Sequence, residues 1–352
     1  MKDKKLYIFG DSFASYTVAQ DPRHLTKQQV EEMEANEPNK EDMWFFQLAR
    51  KLGCNRCIMI GIPGSSLDVM QHYFYNLVKC EHITKDDHII CIHTEASRRW
   101  FVPELPEMTN FVNFIDFKTG DVNWDWLENT LGAKIKDGSD VQKRVRAQLS
   151  IAKDYAFAIA RKDLEGLFGS AIAAWFKDFQ HKGWNLINIP AYNNPDAGDY
   201  NINFDTMGSL NDISMFEFKQ KKWLPDWAHM PDFSPPGVEK QMAKRWQSFM
   251  DICGGWDGRV GHLAPENHAI LSEKLYNSFT KNSPLDLTTD FHSNFITNKN
   301  YDEYNLYGAG PHGRLSRVSL YFAPYVIEQD KIYVDPHSVP PTDMGATAIS
   351  EP

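Results

Sequence analysis

The chain has 352 residues, 42% apolar, 24% charged and 13% aromatic, a composition that excludes general disorder and can build one large domain or two modest ones. Its 37 Lys plus Arg stand against 47 Asp plus Glu, and the formal charge of -10 opposes phosphate backbones and anionic lipid, so no nucleic-acid partner and no membrane are expected. No apolar run approaches the roughly 20 residues of a spanning helix, and Leu6 to Phe9 is too short for a signal h-region, so the expected location is cytoplasmic at synthesis.

Short apolar runs bounded by turn residues recur at Leu6 to Phe9, Cys57 to Ile60, His88 to Ile92 and Trp184 to Ile189. Such runs suit strands buried on both faces. Helical periodicity fills the intervals: Trp44 to Leu52, Leu67 to Val78, Val141 to Arg161, Leu164 to Phe179, Val238 to Met250 and Glu266 to Phe279. Gly53 is a stop signal for the first helix, and Ser139 with Gln142 has the spacing of a capping box for the third. The alternation predicts an α/β fold with a parallel sheet.

Several stretches break this rhythm. Thr26 to Asn36 reads as a charged amphipathic helix, either a lid or a solvated surface element. Arg99 to Asp140 and Ala191 to Pro236 are rich in Asn, Asp, Pro, Gly and aromatics, as expected of long insertions on the carboxyl rim of the sheet. The domain thus spans 1–280 with insertions at about 99–140 and 191–236. Residues 281–352 form a C-terminal extension or docking arm with a strand pair at Val318 to Tyr325 and Lys331 to Val334.

The five cysteines do not form a disulfide scaffold in so long a chain, and Cys54 and Cys57, spaced C-x-x-C, lack a second ligand pair and are expected to be ordinary buried thiols. His24, His72, His82, His88 and His93 have no tight metal spacing, and His93 at the end of the third strand is expected to pack a loop. His229 and Asp232, among Trp223, Trp227 and Phe233, either stack on sugar rings or staple a loop. No P-loop, G-x-G-x-x-G or paired zinc signature occurs, so no cofactor and no metal are expected.

Chemistry concentrates in three blocks. The first strand runs into Gly10-Asp11-Ser12-Phe13, which puts a hydroxyl at the carboxyl edge of the sheet, on a turn that Asp11 can hold through its side chain. The second strand runs into Pro63-Gly64-Ser65-Ser66 before a helix, where the Gly64 N–H can face a developing oxyanion. Far downstream, Asp257 precedes His262-Leu263-Ala264-Pro265-Glu266-Asn267-His268, with His262 just before a helix that Pro265 opens. A serine needs a base of this kind within about 3 Å to become a nucleophile.

The order of these blocks resembles that of the SGNH or GDSL hydrolases over roughly residues 5 to 280. The resemblance implies a flavodoxin-like three-layer α/β/α sandwich, with Ser12 as nucleophile, His262 as base, and the N–H groups of Ser12 and Gly64 in an oxyanion hole. It also implies acyl-ester substrates, so the expected function is a serine esterase that removes small acyl groups, such as acetyl, from a carbohydrate or another acylated small molecule.

Two departures from the family pattern shape this expectation. Where the family has Gly-x-Asn-Asp after the third strand, this chain reads Ile92-His93-Thr94-Glu95-Ala96-Ser97-Arg98. Thr94 becomes the candidate third oxyanion donor and Arg98 a candidate loop anchor or anion-binding group. The family's acid stands three residues before its histidine, but that position is Arg259 here, leaving either Asp257, two residues further upstream, as the candidate acid or a Ser12–His262 dyad helped by a backbone carbonyl. These Thr-x-x-x-Arg and His-Leu variants look like those of some bacteriophage-encoded SGNH-like proteins. The second reading is therefore a scaffold without chemistry, incorporated in a virion or forming a homo-oligomer through the C-terminal extension.

Overall fold

The computed structural model describes residues 4–14, 40–61, 65–96, 98–99, 138–140, 142–147, 150–151, 162–192, 204, 206–210, 212–213, 263, 265–292, 323–328 and 331–334. Within them the chain runs β1 (Lys5–Gly10), α1 (Trp44–Lys51), β2 (Arg56–Gly61), α2 (Leu67–Lys79), β3 (His88–His93), α3 (Lys162–His181), β4 (Leu186–Pro190), β5 (Thr206–Met207), α4 (Pro265–Lys281), β6 (Leu285–Asp286), β7 (Ala323–Glu328) and β8 (Lys331–Val334). The apolar runs read from sequence are the strands β1 to β4, with Trp184 and Asn185 left outside β4. The segment Val238 to Met250 and the candidate lid Thr26 to Asn36 lie outside the described residues.

Among the described residues the main sheet has six strands in the order β4-β3-β1-β2-β7-β8. β1 pairs in parallel with β2 and β3, and β3 in parallel with β4, whereas β7 runs antiparallel to β2 and β8 antiparallel to β7. The protein is thus a mixed α/β fold with a mostly parallel central sheet.

Both faces of this sheet are apolar, which is why β1 to β4 read as continuous hydrophobic runs rather than alternating ones. On one face Leu6, Ile8, Met59, Ile90 and Ile92 join Trp44, Phe45, Phe46 and Leu48 of α1 and Leu271 and Leu275 of α4. On the other, Tyr7, Phe9, Ile58, Ile60, Ile89 and Cys91 join Met70, Phe74 and Leu77 of α2 and Ile172 and Phe176 of α3. Successive strand residues enter opposite clusters because side chains alternate across a strand.

Helix ends follow local chemistry in part. Gly53 stops α1 with φ +68, and its N–H donates to the Arg50 carbonyl. Ser139 Oγ accepts from Gln142 N at 3.2 Å, the forward half of the capping box, while Gln142 Oε1 accepts from Gly138 N at 2.9 Å instead of from Ser139. At α1 the N-cap Met43 offers no side-chain bond, and the first-turn Trp44 N–H donates to His268 Nδ1 on α4 at 3.3 Å. A tertiary contact does there what a local cap does elsewhere.

The region after residue 280 contributes directly to the central sheet. β7 lies on β2 with Tyr325 opposite Cys57, and the fully buried Tyr325 ring meets Phe46 edge-on with centroids 4.9 Å apart. The Ile327 N–H donates to the Asn55 carbonyl at 2.8 Å. No described helix is long and apolar enough to cross a membrane.

Candidate functional site at the carboxyl ends of the parallel strands

The chain goes from β1 to β2 on one side, then crosses to β3 on the other side of β1. The carboxyl ends of β1 and β3 therefore flank a topological switch point, the position where open α/β sheets leave a crevice for ligands. Gly10 ends β1 there. A Cβ on it would lie 2.8 Å from Ile92 Cβ and 3.0 Å from the Ile92 carbonyl oxygen, so the close approach of β1 to β3 requires a residue without a side chain.

Asp11 follows and is completely buried. Its Oδ1 accepts from the Phe13 N–H at 3.1 Å and its carbonyl from the Ala14 N–H at 3.0 Å, which folds Ser12–Ala14 into a single tight turn. Its Oδ2 accepts from Thr94 Oγ at 2.8 Å and from Arg98 Nη1 at 3.3 Å. A carboxylate without water is stable only when it is paired and hydrogen-bonded, and here three donors converge on it. Asp11 thus ties the turn after β1 to the loop after β3, and the Arg98 cation faces the carboxylates of Asp11 and Glu95.

Arg98 has further partners. Its Nε donates to Glu95 Oε2 at 3.1 Å, and its guanidinium lies 5.5 Å from the Tyr192 ring centroid. Burial alone would lower the Arg98 pKa, but Glu95, Tyr192 and Asp11 more than offset it, so the pKa is raised and the charge is secure. Burial, with Asp11 second, pushes the Tyr192 hydroxyl up, so it stays protonated. The Tyr192 ring in turn meets Phe13 edge-on at 5.8 Å.

The loop after β2 is tied to the same place. Ser65 Oγ donates to the Gly10 carbonyl at 3.1 Å in a buried contact. Ser66 hydrogen-bonds Asp68, whose other oxygen pairs with Arg99 Nε at 3.3 Å, and Arg99 stacks 3.7 Å over Phe168 of α3. Segments following β1, β2, β3 and β4 therefore meet around the Ser12 turn.

The structure brings Asp11, Thr94 and Arg98 together beside the Ser12 backbone. Gly64, Asp257 and His262 lie outside the described residues, as do His24, Trp223, Trp227, His229, Asp232 and Phe233. Leu263, the neighbour of His262, is buried in the same cluster as Phe13 and Ala14, the residues after Ser12. Thr94 has one hydroxyl proton, and it is directed to Asp11, so its side chain serves the anchor in this geometry and not the third oxyanion donation expected of it.

His93 packs as expected, between the rings of Phe176 and Phe204 at 5.2 and 4.9 Å. Asn188 Oδ1 accepts from its Nε2 at 2.9 Å, and burial lowers its pKa to about 4, so the imidazole is neutral near pH 7. His72 pairs with Asn76 and His88 with Asn185. Among the described residues no group of three or more His, Cys, Asp or Glu could hold a metal ion. Cys54 and Cys57 are free and buried; burial raises both thiols, Cys54 to about 12.

Sequence reasoning missed Tyr192 and His268. Tyr192 stood at the start of a long insertion, and only its place just past the fourth strand marked it. His268 shares a motif with His262 but is spent on the α1 terminus. No family model, no curated protein and no solved structure matches this chain.

Proposed function

We propose that the chain is a serine acyl-ester hydrolase on a flavodoxin-like α/β/α sandwich of the SGNH type, acting on small acyl groups carried by a carbohydrate. The observation that carries this reading is the Asp11 anchor, which spends a fully buried carboxylate on holding the Ser12 turn at the switch point between β1 and β3. A turn followed only by solvent has no need of three donors on one buried carboxylate. The strand order β4-β3-β1-β2, with apolar clusters on both faces, supports the sandwich.

In the proposed mechanism Ser12 Oγ attacks the ester carbonyl carbon as His262 takes its proton, with Asp257 orienting the imidazole. The N–H groups of Ser12 and Gly64 hold the tetrahedral oxyanion. Collapse breaks the bond to the alcohol, which leaves with the proton from His262. His262 then deprotonates water, which attacks the acyl-enzyme and releases the acid and free Ser12. The test is hydrolysis of a p-nitrophenyl acetate or acetylated sugar by wild type and Ser12→Ala. Loss of at least a thousandfold in the variant is expected, and equal rates overturn the mechanism.

One observation favours the second reading, a scaffold without chemistry, assembled in a virion. Thr94 stands where the family carries an Asn amide, and its proton goes to Asp11. A lost oxyanion donor costs about 3 to 4 kcal/mol. Failure of a fluorophosphonate to modify Ser12 in folded protein would select this reading.

A further inference from the structure

The Tyr192 side chain reaches both sides of Ser12. On one side its ring stands beside the guanidinium of Arg98, whose Nη1 donates to Asp11 Oδ2 at 3.3 Å. On the other its ring packs edge-on against Phe13, with centroids 5.8 Å apart and planes at 75°. Tyr192 is itself fixed, because the Ala191 N–H donates to the His93 carbonyl at 2.7 Å and so continues the β3–β4 pairing one residue beyond β4. The guanidinium lies 5.5 Å from the ring centroid, close enough for a cation–π attraction that restrains the Arg98 rotamer.

We propose that Tyr192 is a positioning residue for Ser12, acting through Arg98 on Asp11 and through its ring on Phe13. The inference rests on the reading of Ser12 as nucleophile. A partly buried ring that only filled space would need neither the charged neighbour nor the edge-on contact at Phe13. Held at the two residues that flank Ser12, the turn cannot pivot about Asp11. That freedom matters because a reacting atom displaced by about 1 Å can lose about a hundredfold in rate.

The experiment uses the full chain with two variants, Tyr192→Phe, which keeps both ring contacts, and Tyr192→Leu, which removes them. The readouts are kcat and KM for an acetyl ester and the rate of Ser12 modification by a fluorophosphonate, each per folded molecule from circular dichroism. Tyr192→Leu is expected to lower kcat and the modification rate about 30- to 100-fold, with KM changed less than threefold. Tyr192→Phe, which keeps the ring, should stay within about threefold of wild type. An interaction made only in the transition state moves kcat in this way, whereas a substrate contact moves KM.

If wild type is not modified at Ser12, the nucleophile reading falls and this inference with it. If wild type is modified and Tyr192→Leu reacts at the same rate, the nucleophile stands and the positioning role is overturned. An effect confined to KM also overturns it. Should Tyr192→Leu not fold, Tyr192→Met, which keeps bulk without the ring, takes its place: a kcat within threefold of wild type overturns the role, and a larger loss supports it.

Discussion

Asp11 and Thr94 are 83 residues apart in the chain and share a buried hydrogen bond of 2.8 Å that fastens the turn after β1 to the loop after β3. Thr94→Val keeps the shape and removes the donor. The expected cost is about 1.5 to 3 kcal/mol, the range for hydrogen bonds to charged groups, read as a lower urea midpoint with an unchanged slope. Because the hydroxyl serves the anchor, ester hydrolysis per folded molecule should fall less than tenfold. A drop of a hundredfold or more would make Thr94 an oxyanion donor after all.

Asp11→Asn puts a neutral amide where Phe13, Thr94 and Arg98 all donate. One amide position has no acceptor to offer, and the Arg98 cation loses its buried partner. Breaking a buried charge pair costs about 3 to 5 kcal/mol; the lower end is expected because Arg98 keeps Glu95. A change below about 1 kcal/mol in chemical denaturation would refute the anchor.

Gly10→Ala should be destabilising by about 1 to 3 kcal/mol through overpacking, because the added Cβ meets Ile92 on β3 at 2.8 Å. Gly53→Ala is the control: its Cβ has open space, and only the left-handed φ of +68 penalises it, by about 1 to 2 kcal/mol. Thermal melts read the loss in both, and Ser12 modification by a fluorophosphonate separates them: Gly10→Ala should slow it and Gly53→Ala should leave it unchanged.

Stability should fall as pH drops from about 6.5 toward 4. His93 is held near a pKa of about 4 by burial, whereas the unfolded imidazole titrates at its ordinary 6.5. Between those values the unfolded state binds the extra proton, so acid favours unfolding by up to about 1.4 kcal/mol per pH unit from this one group. Above 6.5 the effect vanishes. His88, lowered to about 4 chiefly by burial, acts in the same direction. His93→Gln cannot titrate, and its denaturation midpoint should vary less between pH 7 and 5; an identical pH slope would contradict the assignment.

Tyr325→Ala tests whether the chain after residue 280 belongs to the sheet. Tyr325 is fully buried against Phe46, and truncating a core aromatic costs about 3 to 5 kcal/mol. A melting temperature within 1 °C of wild type would instead describe a dispensable arm.

Elements β1 to β4 and helices α1, α2, α3 and α4 were legible in the residues themselves. Runs such as Leu6 to Phe9, and the helical period of Leu67 to Val78, report burial by neighbours a few positions away. The Gly-Asp-Ser turn was equally visible, since Asp11 accepts from the Phe13 and Ala14 N–H groups within three residues. Tertiary structure alone decided that β7 lies antiparallel on β2, that His268 caps α1, and that Arg98 and Tyr192 converge on Asp11. Those contacts join residues far apart in sequence, and a hydrogen bond or ring contact across such a span leaves no periodicity to read. It exists only because the parallel sheet brings the ends of β1, β3 and β4 to one rim, where a buried carboxylate must find its donors.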